Sequence, residues 1–283
     1  MSTHGYRRYV ALGDSQTEGV GDGDDLTGLR GWADRLAEHL DRTGPGVRYA
    51  NLAVRGRLAG QVRAEQLPAA LALRPDLATV VAGVNDLLRP GFDADETAGH
   101  LEAAFAALTG RGARVATLTF PDVGRLTPLA RPLAPRVHAL NDRIREAARR
   151  HGVAVAETAH HDVVTDPRLW SADRLHASPL GHARIAAAVA DALALPGSDD
   201  GWTRPLPPRP VPGGLRAAAG ELAWAGSFLG PWIARRVRGR SSGDGRVAKR
   251  PDLLPVGAAG GAGPVGRVES VGRDGAEGRP GTA

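Results

Sequence analysis

Directly after an early apolar run the chain reads Gly13-Asp14-Ser15-Gln16-Thr17-Glu18-Gly19. A serine on a tight turn at the carboxyl edge of a sheet can present its hydroxyl and its own amide to a substrate, because flanking glycines let the backbone bend. A lone serine in such a setting is more often an ST-turn or a helix N-cap, so Ser15 needs partners elsewhere to mean more. The partner a nucleophilic serine requires is a base, and Asp173-Arg174-Leu175-His176 offers one. A carboxylate three residues before a histidine can fold back within one loop and bond Nδ1. That bond fixes the tautomer in which Nε2 accepts the serine proton.

Two further segments carry groups that could receive negative charge on oxygen. Gly56, in Asn51-Leu52-Ala53-Val54-Arg55-Gly56, exposes a backbone N–H with no side chain in the way. Asn85, in Gly83-Val84-Asn85-Asp86, offers a neutral amide donor that does not compete for the proton of a nucleophile. Taken singly, a turn glycine and an Asx-turn explain these residues as well.

The elements that must position these groups follow from hydrophobic patterning. Tyr9 to Leu12, Val47 to Leu52, Leu77 to Ala82, Arg114 to Thr119 and Val153 to Ala156 are short runs rich in small and β-branched apolar residues, and read as strands. Trp32 to Leu40, Leu101 to Leu108, Val137 to Ala148 and Ile185 to Leu195 place apolar residues at three- and four-residue spacing, and read as helices. Strands without a polar face, alternating with helices, imply a mostly parallel sheet covered on both sides. The expectation is an α/β fold: a three-layer α/β/α sandwich with a five-stranded, mostly parallel sheet, flavodoxin-like in plan. Such folds bind ligands at the carboxyl ends of their strands, which is where Ser15, Gly56 and Asn85 fall.

In this chain order the four blocks resemble those of the SGNH hydrolase family, also called the GDSL family. Ser15 matches the block-one serine in its Gly-Asp-Ser setting, and Gly56 the block-two glycine. Asn85 matches the Gly-x-Asn-Asp block, and Asp173 with His176 the Asp-x-x-His block. The resemblance spans roughly Tyr9 to Leu195. It departs from the family name at Gln16, where leucine would stand, and in the displaced spacing of Gly56. It implies a serine esterase or lipase: Ser15 attacks the ester carbonyl and His176, oriented by Asp173, moves the proton. The oxyanion would rest on the amides of Ser15 and Gly56 and on the Asn85 side chain. Neither a metal nor an organic cofactor is implied.

Composition narrows the alternatives. The 283 residues include no cysteine, which excludes disulfides, thiol nucleophiles and thiolate zinc sites. The net charge of +5 is unevenly placed, with Arg235, Arg236, Arg238, Arg240, Arg246, Lys249 and Arg250 crowded into one stretch. The body of the chain is mixed in sign, so nucleic acid is not an expected partner; the substrate expected is a small-molecule, lipid or carbohydrate ester. Met1 to Arg8 lacks the stages of a signal peptide, and no run reaches the roughly 18 apolar residues of a membrane span, so a cytoplasmic protein is expected.

Beyond the catalytic domain, expected over 1–197, a proline-rich linker is expected over 198–214, a Trp/Arg-rich helical extension over 215–253 and a disordered tail over 254–283. Trp224, Phe228 and Trp232 recur every fourth residue, but Gly226, Gly230 and Pro231 interrupt a helix there. Docking of short helices onto the catalytic domain or a second subunit is favoured over weak membrane-surface contact. No lid insertion is visible within the core, which favours small or medium acyl chains. Gly239-Arg240-Ser241-Ser242-Gly243 and Gly261 to Gly266 match an esterase elbow and a dinucleotide fingerprint but lack the strand-turn-helix setting both need. His160 and His161 read as loop residues rather than metal ligands, and His182 as a packing residue. A second function class stays open: a catalytically vestigial hydrolase fold acting as a membrane- or protein-interaction module through its C-terminal Trp/Arg segment.

Overall fold

The computed structural model describes residues 5–208, 214–230 and 241–257. From the N-terminus its elements run β1 (Arg8–Gly13), α1 (Ser15–Glu18), a small hairpin of β2 (Gly23–Asp24) and β3 (Gly28–Leu29), α2 (Trp32–Thr43) and β4 (Arg48–Asn51). After α3 (Ala59–Gln61), a π turn (Val62–Gln66) and α4 (Leu67–Ala72), the chain continues through β5 (Leu77–Val81), α5 (Val84–Leu87), α6 (Ala94–Thr109) and β6 (Arg114–Leu118). It then forms α7 (Ala134–His151), β7 (Ala154–Ala156), α8 (Pro179–Ala192), α9 (Gly214–Trp224) and β8 (Arg250–Pro255).

The sheet has six strands in the order β7-β6-β5-β1-β4-β8. All neighbours are parallel except β4 and β8. Its centre is β1, whose Tyr9, Val10, Ala11 and Leu12 are wholly buried because helices cover both faces. On one face α2 packs against α8; on the other α6 packs against α7, with α3 and α4 beside α6. From β1 the chain steps to β4 on one side and returns to β5 on the other. A crevice therefore opens at the carboxyl ends of β1 and β5, where the strand order reverses.

The three-layer sandwich is as expected, and the five expected strands stand within a residue or two of their expected bounds. The strand count differs: Arg250–Pro255, which straddles the expected boundary at 253/254 between helical extension and tail, is a sixth strand, antiparallel on the edge of β4. Its pattern is not that of a core strand, since Asp252 and two prolines interrupt it. What holds it is β4's unpaired edge and Arg250, a buried residue whose Nε donates to the Tyr49 carbonyl at 2.8 Å. Trp232, Ile233, the arginines 235–240 and the Gly261 to Gly266 run lie outside the described residues.

Candidate active site

Ser15 opens α1 immediately beyond β1, with Asp14 as the N-cap residue accepting a hydrogen bond from the Gln16 amide at 3.2 Å. The turn is tight: a side chain at Gly13 would collide with the Val81 carbonyl and with Thr17. The Gln66 side chain brackets the same glycine, accepting from its N–H and donating to its carbonyl, each at 2.8 Å. Asp14 is buried, and burial pushes its carboxyl up to about 7. The Gln16 amide, the charge of His176 and the Asn85 amide act in the opposite direction.

Asn85 lies on α5, one turn past β5. Its Nδ2 donates to Asp14 Oδ2 at 3.2 Å and to the Arg57 carbonyl at 3.1 Å, so α5 is tied both to the serine turn and to the loop after β4. Asp86 extends the tie, its Oδ2 accepting from the Ala59 amide at 3.1 Å. Gly56 sits in that loop at φ +79°, a backbone region glycine adopts without strain. The neighbouring Arg55 is held by Glu18 of the serine motif: Nη2 donates to Oε1 at 2.8 Å and the backbone N–H to Oε2 at 2.7 Å.

Asp173 and His176 share a loop ahead of α8. An antiparallel bridge between Trp170 and Ala177 closes it, and the Ser171 amide donates to the His176 carbonyl at 2.8 Å. Asp173 Oδ1 accepts from Ser171 Oγ at 2.6 Å, from the Leu175 amide at 2.9 Å and from the His176 amide at 3.0 Å. Its Oδ2 lies 2.6 Å from His176 Nδ1. Burial would raise the Asp173 carboxyl, but the hydrogen bond and charge of His176 outweigh it and hold the group well below the usual carboxylate range. A carboxylate only accepts, so Nδ1 carries a proton, and in the neutral form of such a ring Nε2 is the proton acceptor.

Ser15, Gly56, Asn85, Asp173 and His176 all line one cavity of about 360 Å³. Gln16, read from the sequence only as a departure from leucine, joins the serine turn to the histidine loop. Its Nε2 donates to the Leu175 carbonyl at 2.8 Å and its Oε1 accepts from the Ala177 amide at 3.2 Å, one bond on each side of His176. Gln16, Asp14 and the Glu18 to Arg55 pair are contributors that sequence reasoning missed. Their only signal was position within the motif, because their partners lie far away in the chain. The structure also places Ser242 on the cavity. His182 is buried, accepting from the Trp32 amide through Nδ1 and donating to the Val20 carbonyl through Nε2, each at 3.1 Å. Among the described residues no group of three or more histidine, aspartate or glutamate side chains could hold a metal ion, and no helix is long and apolar enough to cross a membrane.

Among solved structures the chain resembles LAE5, a hydrolase from the metagenome of Lake Arreo, at 21% identity over 69% of this chain and 98% of that one, with a TM-score of 0.57. An acetylxylan esterase from Geobacillus stearothermophilus, Axe2, is 17% identical over 71% of this chain and all of that one, with a TM-score of 0.58. TesA is 23% identical over 66% and 98%, with a TM-score of 0.55. At these identities the likeness is one of fold. No curated protein sequence matches the chain. The model of the GDSL-like lipase/acylhydrolase family matches residues 11–184, more than half of the chain, and the protein therefore belongs to that family as an SGNH-type esterase.

Proposed function

We propose that Ser15, His176 and Asp173 act as a catalytic triad on carboxylic esters, and that the amides of Ser15 and Gly56 and the side chain of Asn85 receive the oxyanion. The observation that carries this reading is the 2.6 Å contact of Asp173 Oδ2 with His176 Nδ1 on the same cavity as Ser15. In Axe2 the catalytic mutants alter a serine, and an aspartate and a histidine three positions apart, the spacing of Asp173 and His176.

The Ser15 hydroxyl attacks the ester carbonyl as His176 Nε2 takes its proton. The imidazolium formed is stabilised by Asp173, and the tetrahedral oxyanion leans on the amides nearby. Collapse expels the alcohol, which takes the proton back from His176. Water, deprotonated by the same histidine, then releases the acid and restores Ser15. For Asn85 to serve the oxyanion, its amide must exchange one of its long contacts, to Asp14 or to Arg57, for the substrate; removal of such a donor commonly costs about 2.7–4 kcal/mol of barrier.

A fluorophosphonate should label the wild-type chain at Ser15, and Ser15→Ala should lose both the label and the turnover of a soluble ester. Undiminished turnover in that variant overturns the assignment. Turnover of a soluble ester by the wild type also separates this reading from that of a vestigial fold working only as an interaction module.

A further inference from the structure

The cavity beside Ser15 is completed by residues from outside the family match. Trp224, the last residue of α9, and Phe228, on the π turn that follows (Ala225–Leu229), line it. Trp224 is fixed from two sides: its Nε1 donates to the Asp173 carbonyl at 3.1 Å, and the Arg174 guanidinium lies over its ring, 4.9 Å from the centroid.

The segment beyond is fastened to the catalytic domain as well. Gly243 lies so close to Arg55 that a side chain there would collide with its carbonyl. Arg246 pairs with Asp25 and Lys249 with Asp34, both at 2.6 Å, before β8 joins the sheet. The extension thus reaches the cavity with contacts to the domain on both sides.

The lining is mostly apolar, with Leu87, Phe120, Val137, Leu169 and Ile185 beside the two aromatic residues, and Thr127, Thr158 and Arg184 among its few polar members away from the serine and histidine loops. A sugar buried against such walls would lose partners for its hydroxyls, whereas an aliphatic chain needs only apolar area. Each buried methylene is worth about fourfold in binding.

We propose that Trp224 and Phe228 are specificity-determining residues that close the acyl site over an aliphatic chain longer than acetyl, so that the C-terminal extension belongs to the substrate site. This rests on Ser15 being the nucleophile, which places the acyl group in this cavity.

The test compares p-nitrophenyl octanoate with p-nitrophenyl acetate. The full chain should prefer octanoate by about tenfold or more in kcat/KM. Trp224→Ala/Phe228→Ala should lower the octanoate-to-acetate ratio by about tenfold, while Trp224→Phe, which keeps an aromatic ring and loses the N–H with part of the indole area, should hold it within about threefold. Phe228 is 39% exposed, so Phe228→Ala alone leaves the core intact and should lower the ratio in the same direction.

A parent chain that prefers acetate, or variants that lower both esters in equal proportion, overturns the proposal. Calorimetry of octanoate binding to Ser15→Ala gives a readout independent of turnover: binding should weaken about tenfold on adding the double substitution, and unchanged binding also overturns the roof. Octanoate binding without any fluorophosphonate label or turnover in the parent would sink the nucleophile and spare the roof. Labelling at Ser15 with a preference for acetate would do the reverse.

Discussion

At the scale of single residues, Gln16 shows how a departure from a family pattern can be structural. One amide spans the two residues flanking His176, a task leucine cannot perform because it has neither donor nor acceptor. Gln16→Leu should therefore lower kcat about tenfold on a soluble ester with little change in KM, since two hydrogen bonds of about 1 kcal/mol each no longer hold the base in place. Steady-state kinetics checks this, and an unaltered kcat would remove Gln16 from the positioning machinery. Asp173→Asn should keep the fold and lower kcat by about 10⁴-fold, because a neutral amide neither enforces the Nδ1–H tautomer nor stabilises the imidazolium. Circular dichroism alongside kinetics separates that effect from unfolding.

At the scale of elements, what matters is how separate chain segments are brought to one cleft. The pairing of Glu18 with Arg55 joins α1 to the loop after β4, with the two side chains only 7% and 13% exposed. Arg55 Nη2 also contacts Asp25 Oδ1 at 2.8 Å and so keeps a partner, and Glu18→Ala should cost about 1–3 kcal/mol of unfolding free energy, measurable by urea titration. β8 has a second role besides anchoring the extension: it covers the edge of β4. A chain ending at Arg240 should melt lower and aggregate more readily than the full chain, because that edge then presents unpaired backbone groups. Light scattering during a thermal ramp would show it.

Across the whole molecule, two buried groups set opposing pH dependences. The desolvation of His182 drops its imidazole to about 4, from 6.5 when unfolded. Its folded-state pKa is depressed, so the unfolded chain binds more protons between those values. Its contribution, about 3 kcal/mol, is complete above pH 6.5 and fades as pH falls toward 4. Protonation would also set an Nδ1–H against the Trp32 N–H it now accepts from. Asp14 does the reverse: its folded-state pKa is raised to about 7 from 3.8, so its contribution is complete below pH 3.8 and fades as pH rises through 7. The wild-type curve should be flattened by this opposition. Asp14→Asn should expose stability that rises with pH between 4 and 6.5, and His182→Gln stability that falls across the same window. Urea denaturation at a series of pH values reads both slopes, and parallel curves for the two variants would refute the opposition.

The sequence by itself determined the alternation of strand and helix, the parallel core and the positions of Ser15, Asn85, Gly56, Asp173 and His176. These are recorded locally: periodicity reports the face an element buries, and an Asp-x-x-His spacing closes its own loop. Only the tertiary structure decided that Gln16 reaches across to Leu175 and Ala177, that Glu18 grips Arg55, and that Trp224 and Phe228 line the same cavity as Ser15. It also decided that Arg250–Pro255, with two prolines and an aspartate, is a strand. These outcomes depend on partners far off in the chain: an amide finds its acceptors, and a weak strand its edge, only once the sheet has assembled. No local pattern of residues carries that information.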